Sequence, residues 1–249
     1  MRQRSGPQAL WFVRHGQSQG NVIRDAAETA LAERFELEGR DADVPLSPLG
    51  EEQATAFGRW LGRRPTAELP TAVLVSPYLR ARQTAKLAVT AASPTLDGAT
   101  WDVDERLRDR EMGEWDGLTW RGVLARHPEE SKRAVLVGRY FHRPPGGESW
   151  ADMVLRLRSV LADVAQQMPE ERVLVVAHDV VIQLFRSVLD GLDEAATIQL
   201  VRDNPYGNAA VTCYERRPDG YELTAYNVTP EAHGDGAPST EEPDVPAGR

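Results

Sequence analysis

Cysteine is nearly absent: Cys213 is the only one among 249 residues. One thiol cannot close an intrachain disulfide, and it excludes a zinc cluster built on thiolates. Long apolar runs are missing too. Arg2 and Arg4 precede an apolar stretch of only four residues, Leu10 to Val13. A signal peptide needs roughly 7–15 apolar residues and a membrane span about 20, so neither is expected and a cytoplasmic location is. Basic charge is also short, 29 Lys and Arg against 38 Asp and Glu, for a net charge of −9. That balance points away from nucleic acid and from membrane surfaces. An anionic ligand would have to be drawn by a local cluster of arginines. No internal repeat is visible.

What is present reads as an ordinary globular chain, 41% apolar and 27% charged, long enough to bury one substantial core. Residues 230–249 hold five acids (Glu231, Asp235, Glu241, Glu242, Asp244) against Arg249. With their Gly, Pro and Ser content they read as a disordered tail.

The stretch 10–21, Leu-Trp-Phe-Val-Arg-His-Gly-Gln-Ser-Gln-Gly-Asn, organises the rest. Its apolar half predicts a buried strand that runs into Arg14, His15 and Gly16. Open α/β sheets place ligand sites at such carboxyl edges, and Gly16 would permit a sharp turn or a close approach to a ligand. A helical patch is expected within Ala26–Glu38 and a loop over Asp41–Ser47. Ser47 as N-cap and Pro48 at the first position then open an amphipathic helix over 48–62.

Val73–Val75 predicts a second buried strand. Ser76-Pro77 is read as the cap of a helix to about residue 91, with Arg80 in its first turn beside an anion-friendly helix N-terminus. A third strand is expected near Trp101–Val103. Residues 107–117 are dense in charge, and 118–143 read as an inserted helical cap. Ser149 with Asp152 forms a capping box for a helix to about Gln167. Val173–Ala177 is the clearest core strand, and His178 follows it. A helix over Val180–Leu189 and a hairpin around Asp219-Gly220 complete the pattern. Strands alternating with helices imply a largely parallel sheet covered on both faces.

Two apolar strands thus end in histidines, and a third ends just before Arg80. Brought to one edge, Arg14, His15, Arg80 and His178 would suit a phosphoryl group, because guanidinium forks match phosphate oxygens and stay charged. Arg82, Arg139 and Arg143 are read as helix-face or exposed cap residues. His127, His142 and His233 are read as surface residues.

In these pieces the chain resembles the histidine phosphatase superfamily, the phosphoglycerate-mutase-like family. The resemblance covers about residues 10–215. It rests on Arg14-His15-Gly16-Gln17-Ser18 with Asn21, Pro45-Leu46-Ser47 with Gly50, Ser76–Ala85 with Arg80, Leu107–Gly117, Gly147-Glu148-Ser149 and Val173–His178, in the family's order.

It implies an α/β fold: a three-layer α/β/α sandwich with a mostly parallel central sheet and a small inserted helical cap. The domain would span 7–228 with the cap at about 118–143, leaving 229–249 as the acidic tail. It also implies hydrolysis of phosphate monoesters of small metabolites through a phosphohistidine on His15, with no metal and no cofactor. Arg14, Arg80 and His178 would clamp the phosphoryl group. Asp109 stands where the family usually carries the glutamate that protonates the leaving group, and Glu111 is the alternative donor. Gln17, Asn21, Asp179 and Glu111 are candidate substrate contacts, although Asp179 replaces the family's usual glycine. Met112 replaces a tyrosine of the mutases, which argues against the alternative of a cofactor-dependent phosphoglycerate mutase. A catalytically inactive phosphate-binding or scaffold protein is the other alternative. The expected partner is a small phosphorylated metabolite, and a homodimer is allowed.

Overall fold

The computed structural model describes residues 6–94, 96–229 and 237–241. Strand β1 (Ala9–Arg14) is fully buried and pairs in parallel with β4 (Arg172–Ala177). Strand β2 (Ala72–Val75) lies on the other side of β4, and β3 (Thr100–Val103) closes that edge, both again parallel. The hairpin β5 (Val211–Arg217) and β6 (Gly220–Val228) adds two antiparallel strands beside β1. The order across the sheet is β3-β2-β4-β1-β5-β6.

Alternation along these strands sends side chains to two separate layers. Leu10, Phe12, Leu74 and Val175 face one core, shared with α6 (Trp150–Gln167) and α7 (Asp179–Asp190). Trp11, Val13, Val73 and Val176 face the other, shared with α2 (Pro48–Gly62) and α3 (Leu79–Ala92). Burying each large apolar side chain contributes about 1.5–3 kcal/mol, so the sheet is held firmly between its helical layers. Gly58 lets α2 close on α3, because a Cβ there would run into the Ala88 backbone.

Several local expectations change. The first helix, α1, spans Gln19–Thr29, set by a capping box between Ser18 and Asn21, so the helical stretch begins ahead of Ala26 and ends before Glu38. Ser76 does not cap α3; its first residue is Leu79 and Tyr78 occupies the N-cap position. A helix between Glu194 and Asp203 follows α7 directly, where no element was expected. Residues 118–143 hold two short helices, Trp120–Arg126 and Pro128–Val137. The first docks on the segment after α1, where Thr119 binds the Glu33 carbonyl at 3.1 Å and Phe35 binds the Gly117 carbonyl at 3.0 Å.

A disordered tail from residue 229 does not describe residues 237–241. Ala237 is buried, Glu241 bridges to Gly207, and Asn208 donates to the Thr240 carbonyl at 2.8 Å. The remaining tail residues, 230–236 and 242–249, and with them His233, lie outside the described residues. Among the described residues no helix is long and apolar enough to cross a membrane.

Candidate active site

The parallel register sets the site. Arg14 pairs with Ala177 across β1 and β4, so the next residues on each strand, His15 and His178, leave the sheet side by side. Their rings lie 5.2 Å apart. His15 stays attached to the sheet, its N–H donating to the Ala177 carbonyl at 3.0 Å. Asn208 Nδ2 and the Ala209 N–H both donate to the His15 carbonyl, at 3.1 and 3.2 Å. The Gly16 N–H donates to Thr84 Oγ1 at 3.0 Å. The close approach expected of Gly16 is made not to a ligand but to the backbone of Gly50, which a Cβ would strike. The start of α2 therefore packs directly under the loop.

The His15 ring is oriented from both nitrogens. Nδ1 lies 2.7 Å from the Gly16 carbonyl, which can only accept, so Nδ1 carries the proton. Nε2 keeps its lone pair, and Arg80 Nε donates to it at 3.3 Å. Burial holds the imidazole well below its usual pKa, and the charges of Arg80, His178 and Arg14 push it further down. A neutral ring with an unprotonated Nε2 can act as a nucleophile.

Arg80, on the first turn of α3, is almost fully buried with every nitrogen engaged. Beyond His15, its Nη2 donates to Asp109 Oδ2 at 3.1 Å. Nη1 donates to the Asp41 carbonyl at 2.8 Å and to its Oδ1 at 3.1 Å, and Nη2 reaches Asp41 Oδ2 at 3.1 Å. The Tyr78 ring lies 4.8 Å beneath the guanidinium. Asp109 and Asp41 outweigh the burial penalty, and the Arg80 pKa is raised. Burial opposes ionisation of Asp109, but His178 and Arg80 outweigh it and hold the carboxyl well below its usual range.

His178 sits behind this layer. Ser76 Oγ accepts from the Tyr78 N–H at 3.3 Å and meets His178 Nε2 at 2.8 Å. Asp109 Oδ2, which when ionised can only accept, faces Nδ1, and this assigns the ring proton to Nδ1 and leaves Nε2 to accept from the Ser76 hydroxyl. Nδ1 stands 3.2 Å from Asp109 Oδ2 without the alignment of a hydrogen bond. Burial lowers the His178 pKa, and Asp109 opposes that shift.

Arg14, His15, Asn21, Arg80, Asp109 and Asp179 line one cavity of about 240 Å³. The Arg14 side chain donates to the Tyr206 carbonyl. Asn21 Oδ1 accepts from the Ser18 N–H at 2.8 Å, which leaves its NH2 end for a ligand. Asp179 accepts from Gln183 Nε2 at 2.5 Å.

Gln17, Glu111 and the buried His178 do not line the cavity. Gln17 Oε1 accepts from Ser47 Oγ at 2.7 Å. Glu111, with a half-exposed side chain, lies 3.8 Å from Arg108 and accepts weakly from Tyr78 OH at 3.5 Å. Of the two candidate donors only Asp109 lines the cavity with His15.

Sequence reasoning missed Asp41, Ser76 and Tyr78 as site residues. It also missed the far wall of the cavity, built from Phe35, Trp115, Leu118 and Trp120. Arg139 is part of that cavity rather than a plain cap residue. His142, expected at the surface, is buried and stacks on Trp115 at 4.9 Å. The Ser-Pro signal after β2 pointed to Ser76 but suggested the wrong partner, a helix N-terminus instead of an imidazole. Among the described residues no group of His, Cys, Asp and Glu side chains is arranged to hold a metal ion.

The chain is 29% identical over 178 residues to a 6-phosphofructo-2-kinase/fructose-2,6-bisphosphatase of Caenorhabditis elegans. That match covers 71% of this chain but only 33% of the nematode protein, so the chain spans about a third of that relative. A glucosyl-3-phosphoglycerate phosphatase of Mycobacterium tuberculosis is 31% identical over 188 residues, covering 72% of this chain and 74% of that protein. The native structure of a mycobacterial glucosyl-3-phosphoglycerate phosphatase superposes with a TM-score of 0.67 at 27% identity, covering 91% of this chain and all (100%) of that one. The family model of the histidine phosphatase superfamily (branch 1) matches residues 10–229. On that match, the chain belongs to the histidine phosphatase superfamily.

Proposed function

We propose that the protein is a phosphatase that hydrolyses phosphate monoesters of small metabolites through a phosphohistidine on His15. The observation that carries this reading is the sharing of one guanidinium. Arg80 Nε touches the lone pair of His15 Nε2 at 3.3 Å while its Nη2 holds Asp109 at 3.1 Å. Nucleophile, clamp and acid therefore face the same small volume.

In the first step Nε2 attacks phosphorus as the bond to the ester oxygen breaks, and the leaving oxygen takes a proton from Asp109. In the second step a water gives that proton back to Asp109 and displaces the phosphoryl group from His15, releasing inorganic phosphate. Dividing one difficult displacement into two is the gain from a covalent intermediate. Arg14 and Arg80 neutralise charge on the transferring oxygens, which is most of what phosphoryl transfer asks of a protein. The Asn21 amide is a further donor for those oxygens, and His178 Nδ1–H backs Asp109 at 3.2 Å.

Asp109, its pKa held down by His178 and Arg80 against the cost of burial, is ionised. A phosphoryl dianion placed beside it competes for Arg80 and adds a like charge, and both effects raise a carboxyl pKa. The acid is thus charged with its proton as the substrate binds. The scheme calls on no metal, so chelators should leave the activity intact, and on no second copy of the chain. A cytoplasmic setting is part of this reading.

Met112 lines the cavity and offers no hydroxyl to a second substrate group, which favours release to water over return to another carbon of the same molecule. The test is phosphate release from a panel of phosphorylated metabolites, run on the wild type and on His15→Ala. Turnover lost in His15→Ala supports the reading. Equal inactivity of the two proteins on the whole panel counts against it.

A further inference from the structure

Asp41 belongs to the loop between α1 and α2, outside every motif in the sequence, yet its carboxylate and its carbonyl both bind Arg80. A guanidinium has two bidentate edges: the end formed by Nη1 and Nη2, and the side formed by Nε and Nη2. Asp41 takes the end, Oδ1 on Nη1 and Oδ2 on Nη2, both at 3.1 Å. The side edge is the one turned to the chemistry, with Nε on His15 at 3.3 Å and Nη2 on Asp109 at 3.1 Å. A phosphoryl group in flight from the leaving oxygen near Asp109 to His15 Nε2 travels along that side edge.

We infer that Asp41 is a positioning residue: it grips the far fork of Arg80 so that the Nε–Nη2 edge is presented to the phosphoryl group. The inference rests on the phosphatase reading of the site. Its physical basis is the competition for Arg80. Without the Asp41 carboxylate, the only carboxylate left on the guanidinium is Asp109, and the Nη1 end, held by the Asp41 carbonyl alone, would swing toward it. That rotation would take the side edge away from His15 and tie up the acid when it must release its proton. Tyr78, 4.8 Å below the guanidinium plane, supports the plane but leaves rotation within it free. Asp41 supplies that restraint.

Its placement is built, not incidental. A single turn over Asp41–Asp43 is closed by the Val44 N–H on the Asp41 carbonyl at 3.2 Å. The following residues are pinned to the catalytic loop, where Gln19 N–H donates to the Pro45 carbonyl at 3.0 Å and Ser47 N–H to the Gln17 carbonyl at 2.9 Å. The loop that carries Asp41 is thus registered against the loop that carries His15.

The rival role for the same contact is a plug, with Asp41 filling the phosphate position until substrate expels it. The two roles give opposite signs. In the full-length protein, Asp41→Ala should lower kcat by about ten- to a hundredfold, the scale of loss when a reacting group is misplaced by roughly 1 Å. KM should change by less than about threefold on this reading, because Arg14 and the donors to the ground-state phosphate remain. Orthovanadate, which adopts the in-line geometry, should bind about tenfold or more weaker by calorimetry, with inorganic phosphate little affected. Asp41→Asn, which keeps one acceptor for Arg80, should fall between wild type and Asp41→Ala. Tighter phosphate binding with a higher kcat/KM in Asp41→Ala would overturn the inference in favour of a plug. Unchanged kinetics and vanadate affinity would overturn it in favour of a plain ion pair. The vanadate arm does not depend on turnover, so a wild type that hydrolyses no ester would defeat the phosphatase reading while this measurement still decides Asp41.

Discussion

The Nε–H of Arg80 donates to Nε2 of His15 across 3.3 Å. A buried cation therefore rests on the atom that would become phosphorylated, and burial together with that cation keeps the atom unprotonated.

Arg80→Lys tests how much of this depends on shape and not on charge. A lysine ammonium keeps the charge but cannot hold His15, Asp109 and Asp41 in one plane. We expect kcat to drop by about 10²–10³, the usual loss for a preorganised clamp donor. Steady-state kinetics with a circular-dichroism check of folding measures it.

Asp109→Asn and Glu111→Gln separate the two carboxylic acids. Asp109 faces His15 from the cavity and Glu111 does not. Asp109→Asn should slow alkyl phosphates, whose leaving alkoxides need a proton, by about 10²–10⁴, and slow p-nitrophenyl phosphate far less. Glu111→Gln should leave both substrates within about threefold of wild type. The reverse pattern would reassign the acid.

The pH dependence follows from His15. Its folded pKa is depressed, by burial first and then by neighbouring positive charge, so the imidazole stays neutral below 6.5. The acid limb of kcat/KM contributed by His15 should therefore lie below pH 6.5. The same shift has a stability consequence. The unfolded chain takes up a proton on this histidine near its ordinary value of about 6.5 and the folded chain does not, so stability falls as pH drops through that value. His178, also lowered, acts in the same direction. Asp109 is the opposite kind of group, depressed as an acid. Its stabilisation is present above its ordinary value of about 3.9 and is lost as pH falls toward its lower folded value. Urea unfolding at pH 7.5 and 5.5 should show the first loss, and His15→Gln should reduce it.

The docked end of the tail braces His15 from behind. Thr240 Oγ1 donates to Asn208 Oδ1 at 2.9 Å, and Asn208 Nδ2 donates to the His15 carbonyl at 3.1 Å. Gln53 joins the same segment to the loop, donating to the Pro238 carbonyl at 2.8 Å and accepting from the Gln17 N–H at 2.8 Å. Thr240→Val removes the bond to Asn208 and the one Gln53 Nε2 donates to Thr240 Oγ1 at 3.0 Å, and should cost about 2 kcal/mol of stability, with a small effect on kcat. Asn208→Ala, one bond closer to His15, should lower kcat more. Thermal unfolding and kinetics on the two variants check the order.

How far the sequence reads depends on what carries the signal. The two strand-end histidines were legible because parallel strands buried on both faces announce themselves as apolar runs, and Arg80 because a helix follows β2 within a few residues. Asp41 was not legible. It sits in a polar loop with no periodicity, and only the tertiary fold brings residue 41 to residue 80. The docking of 237–241 was hidden for a related reason: a segment of small and acidic residues has the composition of a tail, and it is held by backbone groups and by Asn208 and Gln53. Composition reports what a segment can bury, not which polar partners await it. Ser76 misled because Ser-Pro signals a helix start in most settings, whereas here its hydroxyl is committed to His178.

The central claim is that His15 is the nucleophile, and trapping the intermediate tests it most directly. Full-length protein would be mixed with p-nitrophenyl phosphate, quenched in alkali within one turnover, digested and sequenced by mass spectrometry. The account predicts one added phosphoryl group on the peptide that contains His15, fragmented to that residue, and none in His15→Ala. A phosphoryl group on another side chain, or full turnover by His15→Ala, would contradict it.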